Sequence, residues 1–251
     1  MTSAQVNSGV ALVTGASRNI GRAIALRLAG LGYDIAVHVG KDLASGEETA
    51  AEIRALNRRA EVFSADLSDP ASCKALVSNA LSAFGRLDVL VNNAAVRPES
   101  PFEEITLAEW RQVMALALDA PFFVSQAAVA PLSRSPVASI VHIGGLTGHT
   151  GAQHRAHVIT AKAGLIGLTK AMAHDLAAKA IRVNCVVPGL IETARVGGHA
   201  AQPAHHAKTA NLLGYRGGAD DVAGAVAYLC APENRYLTGQ TLHVNGGAYL
   251  P

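Results

Sequence analysis

Thr14-Gly15-Ala16-Ser17-Arg18-Asn19-Ile20-Gly21 stands between a short apolar run, Val10–Val13, and Ile20, Ile24 and Leu28 at helical spacing. A tight glycine turn at a strand-to-helix junction aims backbone N–H groups and a helix N-terminus at a phosphate. An ordinary turn has the same look, so the surrounding strand–helix alternation carries the reading. NAD sites place a carboxylate after the second strand, on the ribose hydroxyls. Here that strand ends His38-Val39-Gly40-Lys41, without one. Lys41 and Arg18 are positioned to meet a 2′-phosphate, so NADP(H) is favoured over NAD(H); the alternative is two solvated cations. A second group of chemistry-bearing residues is His149, His154, His157 and Lys162. Imidazoles titrate near neutrality, which makes His154 and His157 acid/base candidates. They read equally as solvated or interface histidines. His154 with His157, and His205-His206, look like metal-ligand pairs, but no third ligand is evident and no metal is expected.

Composition narrows the setting for this chemistry. The chain has 251 residues, 50% of them hydrophobic and 16% charged, with a net charge of +2. That is too apolar for a disordered chain and enough for a large single core. Without a run of Lys or Arg, no nucleic-acid partner is expected. Cys73, Cys185 and Cys230 are widely spaced, which fits neither a disulfide framework nor a CxxC site. The first residues lack a secretory pattern. No stretch of about 18 uninterrupted apolar residues is present, so no membrane span is expected. A cytoplasmic protein with a small-molecule substrate is the expectation.

The elements that must position these residues alternate between strand and helix. Strands are expected at Val10–Val13, Ile35–Val39, Glu61–Ser64, Val89–Val91, Ser139–Ile143, Val183–Val187 and Thr241–Val244. Ser45 with Glu48 has the form of a capping box opening a helix that ends near Leu56. Asp69-Pro70 opens a helix that runs to Phe84 and stops at Gly85. Further helices are expected over 107–129, bent near Pro121, and over 157–178 and 220–229. This order predicts an α/β fold: a single-domain Rossmann-type doubly wound parallel sheet of about seven strands, with helices on both faces. Residues 192–218, rich in Gly, Ala and His, follow a strand's carboxyl end and read as a lid or a surface loop.

Over nearly its whole length the chain resembles the short-chain dehydrogenase/reductase family, with most likeness to 3-oxoacyl-(acyl-carrier-protein) reductases. The likeness rests on Thr14 to Gly21, Asp66-Leu67, Asn92-Asn93-Ala94-Ala95, Ala161-Lys162-Ala163-Gly164, Arg182-Val183-Asn184, Pro188 to Thr193, and Thr238-Gly239-Gln240 with Asn245-Gly246-Gly247. The resemblance implies that Gly15, Ser17, Arg18, Asn19, Ile20 and Gly21 form the phosphate turn. It implies that Asp66 and Leu67 meet the adenine and that Asn92 and Ala94 flank its ribose. Lys162 would hold the nicotinamide ribose, with Pro188, Gly189, Ile191 and Thr193 at the nicotinamide end. It further implies a homo-oligomer, a tetramer built through the two long helices and the last helix and strand.

The chain departs from the family where the chemistry is done. The middle glycine of the turn is Asn19, the non-glycine residue most at ease in left-handed backbone. The family's catalytic Asn, Ser and Tyr fall on Ala117, Gly145 and Val158, and only Lys162 is retained. Valine and glycine have no side-chain proton to give. Among the tyrosines only Tyr215 is a remote substitute. Three readings stay open: an NADP(H) oxidoreductase of atypical mechanism using Lys162, His154 or His157; a cofactor-binding regulatory or structural subunit without turnover; or a non-redox enzyme in the same pocket.

Overall fold

The computed structural model describes residues 9–193 and 211–251. Seven strands form one parallel sheet in the order β3-β2-β1-β4-β5-β6-β7. They are β1 (Val10–Val13), β2 (Asp34–Val39), β3 (Ala60–Ser64), β4 (Val89–Asn92), β5 (Ser139–Ile143), β6 (Arg182–Pro188) and β7 (Thr241–Val244). β1 and β2 pair in register from Val10 with Asp34 to Val13 with Val37. Alternate residues of the central strands enter two cores, one per face. Ala11, Val13, Val37 and Val91 pack with α1 (Asn19–Gly30), α2 (Leu43–Ala55) and α8 (Ala219–Cys230). Val10, Leu12, Leu90 and Ile140 pack with α3 (Pro70–Phe84), α5 (Ala120–Leu132) and α7 (Ala156–Leu176), the last preceded by the short α6 (Thr147–Thr150). Burial on both faces is why these strands are continuous apolar runs rather than alternating ones.

Local signals set most helix ends. Asp69 accepts hydrogen bonds from the N–H groups of Ala71 and Ser72, Pro70 opens α3, and Gly85 closes it in left-handed backbone at φ +78°. The cap of α2 differs from the expected capping box at Ser45. Asp42 is the N-cap, accepting from Ser45 N at 3.1 Å and Ser45 Oγ at 2.8 Å. The helix therefore starts a turn earlier, because the carboxylate accepts both bonds while the Ser45 hydroxyl is spent as a donor. Helix α4 (Leu107–Met114) runs through a π-helical turn, Ala115–Asp119, into α5 and reaches Leu132, past the expected end at 129. The wide turn lies just before Pro121, whose missing N–H and ring displace the normal ladder at Ala117.

This Leu107–Leu132 helix of 26 residues is long and apolar enough to cross a membrane by length and composition, although Asp119, Ser125 and Gln126 interrupt it, so no uninterrupted apolar stretch of about 18 residues occurs there. Its Val113, Ala117, Val124, Ala128 and Leu132 are buried in the domain. It is thus a core helix, apolar because it packs on the sheet, while Leu107 and Phe122 stay exposed. Of the suspected lid, residues 194–210 lie outside the described residues, as does His205-His206. Residues 211–218 return along the sheet end, where Gly217 pairs with Ile191.

The cap assignment is testable by urea unfolding. Asp42→Ala is expected to lower the unfolding midpoint by more than Ser45→Ala does, because it alone leaves the Ser45 N–H without its acceptor.

Candidate functional site

Between β1 and β4 the strand order reverses, and a crevice opens at the strands' carboxyl ends. The β1–α1 turn that floors it is stitched to both neighbouring strands. Thr14 Oγ1 accepts from the N–H groups of Asn93 at 2.9 Å and Ala94 at 3.0 Å. Asn93 Nδ2 donates to the carbonyls of Thr14 at 2.9 Å and Gly15 at 3.0 Å. His38 Nδ1 accepts from Gly15 N at 3.1 Å, and its Nε2 pairs with the Ala65 carbonyl at 3.1 Å. Those partners place the single proton on Nε2, and burial pushes the His38 pKa down, keeping the ring neutral.

Two residues of the turn carry left-handed backbone: Gly15 at φ +64° and Asn19 at φ +50°. Asn19 thus adopts the geometry expected of a residue replacing glycine. Gly21 is required for a different reason: a Cβ there would overlap the Gly15 carbonyl oxygen.

The turn opens into a cleft of about 1200 Å³ that runs to Lys162. Gly15, Ser17, Arg18, Asn19, Ile20 and Gly21 line one end. Lys41, Asp66, Leu67 and Ala94 line its flank. Lys162, Pro188, Gly189, Ile191 and Thr193 line the other end. Asn92 is the exception. It is buried beneath the cleft, its Nδ2 donating to Ser125 Oγ at 3.0 Å and paired with His142 Nδ1 at 3.2 Å. Strand alternation decides this: Asn92 and Asn93 point to opposite sides, so Asn93 meets the cleft. The doublet in the sequence held that signal, but not which asparagine faces the pocket. His38, Arg97 and Arg155 also line the cleft.

Asp66 is held by Ser68, whose N–H and hydroxyl donate to it at 3.0 and 2.7 Å and lower its pKa. Asp42 is occupied as the α2 cap and is not among the residues lining the cleft.

At the inner end Ala117 and Val158 join Val113 and Ala161 in a small apolar cluster. A Cβ at Gly145 would meet Lys162 Cγ at 3.6 Å, an ordinary van der Waals contact, so a methyl fits there without displacement. Lys162 is 7% exposed, and its Nζ donates to the Ile143 carbonyl at 2.6 Å. Burial pulls its pKa down to about 8, with Arg97 and Arg155 lowering it further and Cys185 opposing.

Neither histidine expected as an acid/base lines the cleft. His154 is exposed in left-handed backbone at φ +61° in the turn before α7. His157 is fully buried one residue round the helix from Val158, its Nε2 3.2 Å from Glu109 Oε1, which also accepts from Ser100 Oγ. His149 packs instead on His243 and Tyr249. Tyr215 is exposed and outside the cleft lining.

The chain matches the family model described as enoyl-(acyl carrier protein) reductase over residues 15–249. It is 37% identical over 240 residues to the 3-oxoacyl-(acyl-carrier-protein) reductase FabG of Staphylococcus aureus, covering 96% of this chain and 98% of that protein. Among solved structures it is similar to a short-chain dehydrogenase of Burkholderia cenocepacia in complex with NADP (TM-score 0.90, 35% identity, covering 98% and 99% of the two chains). It is likewise similar to a blue fluorescent protein from a metagenomic library in complex with NADPH (TM-score 0.88, 36% identity, covering 98% and 100%). The chain belongs to the short-chain dehydrogenase/reductase family of NAD(P)-dependent oxidoreductases.

Adjacent glycines give a contrast in packing. A Cβ at Gly144 would lie 3.0 Å from both Cys185 Sγ and Val187 Cγ2, whereas one at Gly145 would make only ordinary contact with the Lys162 stem at 3.6 Å. Gly144→Ala is expected to lower the thermal midpoint and Gly145→Ala or Gly145→Ser to leave it nearly unchanged. A second expectation concerns acid. Burial pushes the His142 pKa from 6.5 down to about 3, so the native state keeps the ring neutral while the unfolded chain takes a proton. Its contribution is full above pH 6.5 and is lost as pH falls from there towards 3. In urea melts, His142→Leu should lose less stability between about pH 7 and about pH 5 than the unmodified chain.

Proposed function

We propose that the chain is an NADP(H)-dependent oxidoreductase that interconverts a carbonyl and an alcohol, with Lys162 in place of the family's tyrosine as proton donor. The observation that carries this reading is one cleft joining the phosphate turn, Arg18 and Lys41 to Lys162. The bound nicotinamide supplies or accepts the hydride. Arg18 and Lys41 hold the 2′-phosphate, and Gly15 to Gly21 face the pyrophosphate with backbone N–H groups and the α1 N-terminus. NADP and NADPH in two similar structures favour the same nucleotide here.

An ordinary lysine is a poor acid at neutral pH. One whose pKa is pulled to about 8 is poised for proton transfer. Of its three protons, Ile143's carbonyl accepts one, which fixes the side chain's direction. The ammonium releases a proton to the oxygen that gains charge during reduction and regains it from solvent. Loss of a positioned acid costs about 10²–10⁴-fold, so turnover is slower than in relatives that keep the tyrosine.

The absence of any proton on Ala117, Gly145 and Val158 favours a second reading, a subunit that binds NADP(H) without turnover. In either case we infer a cytoplasmic homo-oligomer, a tetramer by family likeness. The exposed Leu107 and Phe122 on the α4–α5 helix support a face covered by another copy.

Titration by cofactor fluorescence tests the nucleotide. NADPH should bind at micromolar levels and NADH more weakly, and Arg18→Ala or Lys41→Ala should shrink the difference. Binding of neither at millimolar levels overturns the proposal. The proton role is read from pH: reduction should fall as pH rises through about 8 and oxidation should rise. Lys162→Met should remove both slopes; nucleotide binding with no turnover of any carbonyl establishes the second reading.

A further inference from the structure

Resting on the reading of the cleft as a dinucleotide site, we infer that Ser100, Glu109 and His157 are positioning residues: they clamp the far end of the segment after β4 onto α7 and so fix the wall of the cleft where the nicotinamide and its substrate meet. None of the three lines the cleft, so each acts through the segment it holds.

That segment runs from the phosphate turn to the inner end. At its start Asn93 Nδ2 donates to the carbonyls of Thr14 and Gly15, and the N–H groups of Asn93 and Ala94 donate to Thr14 Oγ1. Residues Asn93 through Arg97 line the cleft. Val96 also packs on the apolar cluster of Val113, Ala117, Val158 and Ala161. Ala95 and Val96 make no hydrogen bond to any other described residue. Their place is therefore set by packing and by the anchors at the two ends. Pro98 and Pro101 stand on either side of the outer anchor, and each fixes its own φ, which leaves the segment little slack.

The outer anchor is Ser100. Its N–H donates to the His154 carbonyl at 2.9 Å, and its hydroxyl donates to Glu109 Oε1 at 2.6 Å. The same oxygen lies 3.2 Å from His157 Nε2. Glu109 is seated in the first turn of α4, its N–H donating to Thr106 Oγ1 at 3.1 Å. One carboxylate oxygen thus joins the segment, α4 and α7. Hydrogen bonds to an ionised carboxylate are stronger than neutral ones, and the Ser100 hydroxyl and His157 hold the Glu109 carboxyl below the usual carboxylate range. His157 is fully buried, and its Nδ1 has no partner among the described residues. Opening the clamp would strip the ring of its bond to Glu109 and leave it buried and unsatisfied, which favours the closed form. His157 lies in the first turn of α7, which continues through Val158 to Lys162, so the segment and the proposed proton donor share one support. His154 and His157 both enter the site through this clamp, one by its backbone carbonyl and the other by its ring.

Methyl NMR of the full chain, with and without NADP⁺, reads the clamp at Val96, and the emission of bound NADPH reads the nicotinamide. Ser100→Ala should abolish the nuclear Overhauser contacts of the Val96 methyls with the inner cluster and leave the signals of Val13 and Val91 in place. Ser100→Thr, which keeps the hydroxyl, should restore those contacts. NADPH affinity should stay within about twofold of the unmodified chain, as expected of separate sites, because the phosphate turn keeps its own anchor. Emission per bound NADPH should fall in Ser100→Ala, since a less confined nicotinamide is quenched by water. If Ser100→Ala fails to fold, Glu109→Gln, on a partly exposed side chain, carries the same comparison. Unchanged Val96 contacts overturn the inference, as does failure of Ser100→Thr to restore them. Release of Val96 with no change in the emission of bound NADPH shows a structural tie alone and overturns the positioning role. Release of Val96 in a protein that binds no nucleotide supports the clamp and overturns the dinucleotide reading instead.

Discussion

The whole cleft depends on the close approach of Gly15 and Gly21. A Cβ on Gly21 would overlap the Gly15 carbonyl, so the first turn of α1 can lie against the end of β1 only with no side chain there. The approach is held by bonds from three strands' ends: Thr14 on Asn93 and Ala94, Asn93 on Thr14 and Gly15, and Gly15 on His38. These partners satisfy backbone groups that a tight turn would otherwise leave bare, which is costly in a buried site. They also register β1 against β2 and β4, so the phosphate turn and the switch point of the sheet are one construction. Asn19 survives in it because a short amide side chain tolerates left-handed angles better than other residues.

The inner end follows a different logic. Ala117 and Val158 pack with Val113 and Ala161 in an apolar cluster. Lys162 takes the Ile143 carbonyl as its partner and loses part of its basicity to burial. Arg97 and Arg155 push in the same direction.

His38 in the cleft wall and His142 beneath it are buried rings kept neutral by their surroundings. His38 is fully bonded and acts as a strut between Gly15 and Ala65, whereas His142 Nε2 has no hydrogen-bond partner among the described residues. The first holds the phosphate turn and the second lies between Asn92 and Lys162. Acid sensitivity of the fold and integrity of the cleft are thus linked through the same two strands.

The sequence by itself determined the sheet, the two helical layers and the phosphate turn. Apolar runs, Asp69-Pro70, Gly85 and the Thr14–Gly21 turn are local signals, and each acts within a few residues of where it is read. It also marked Ala117, Gly145 and Val158 as lacking a proton, since residue identity alone settles that. Tertiary structure decided the rest. Whether Asn92 or Asn93 faces the cleft is set by strand alternation and by the contacts of Ser125 and His142, which are distant in the chain. That His157 is spent on Glu109 while Arg155 lines the pocket depends on the rotation of α7 against α4. The acidity of Lys162 depends on burial by β5, β6 and the loop after β4 together. These are properties of distances between remote segments, and no spacing along one chain encodes them.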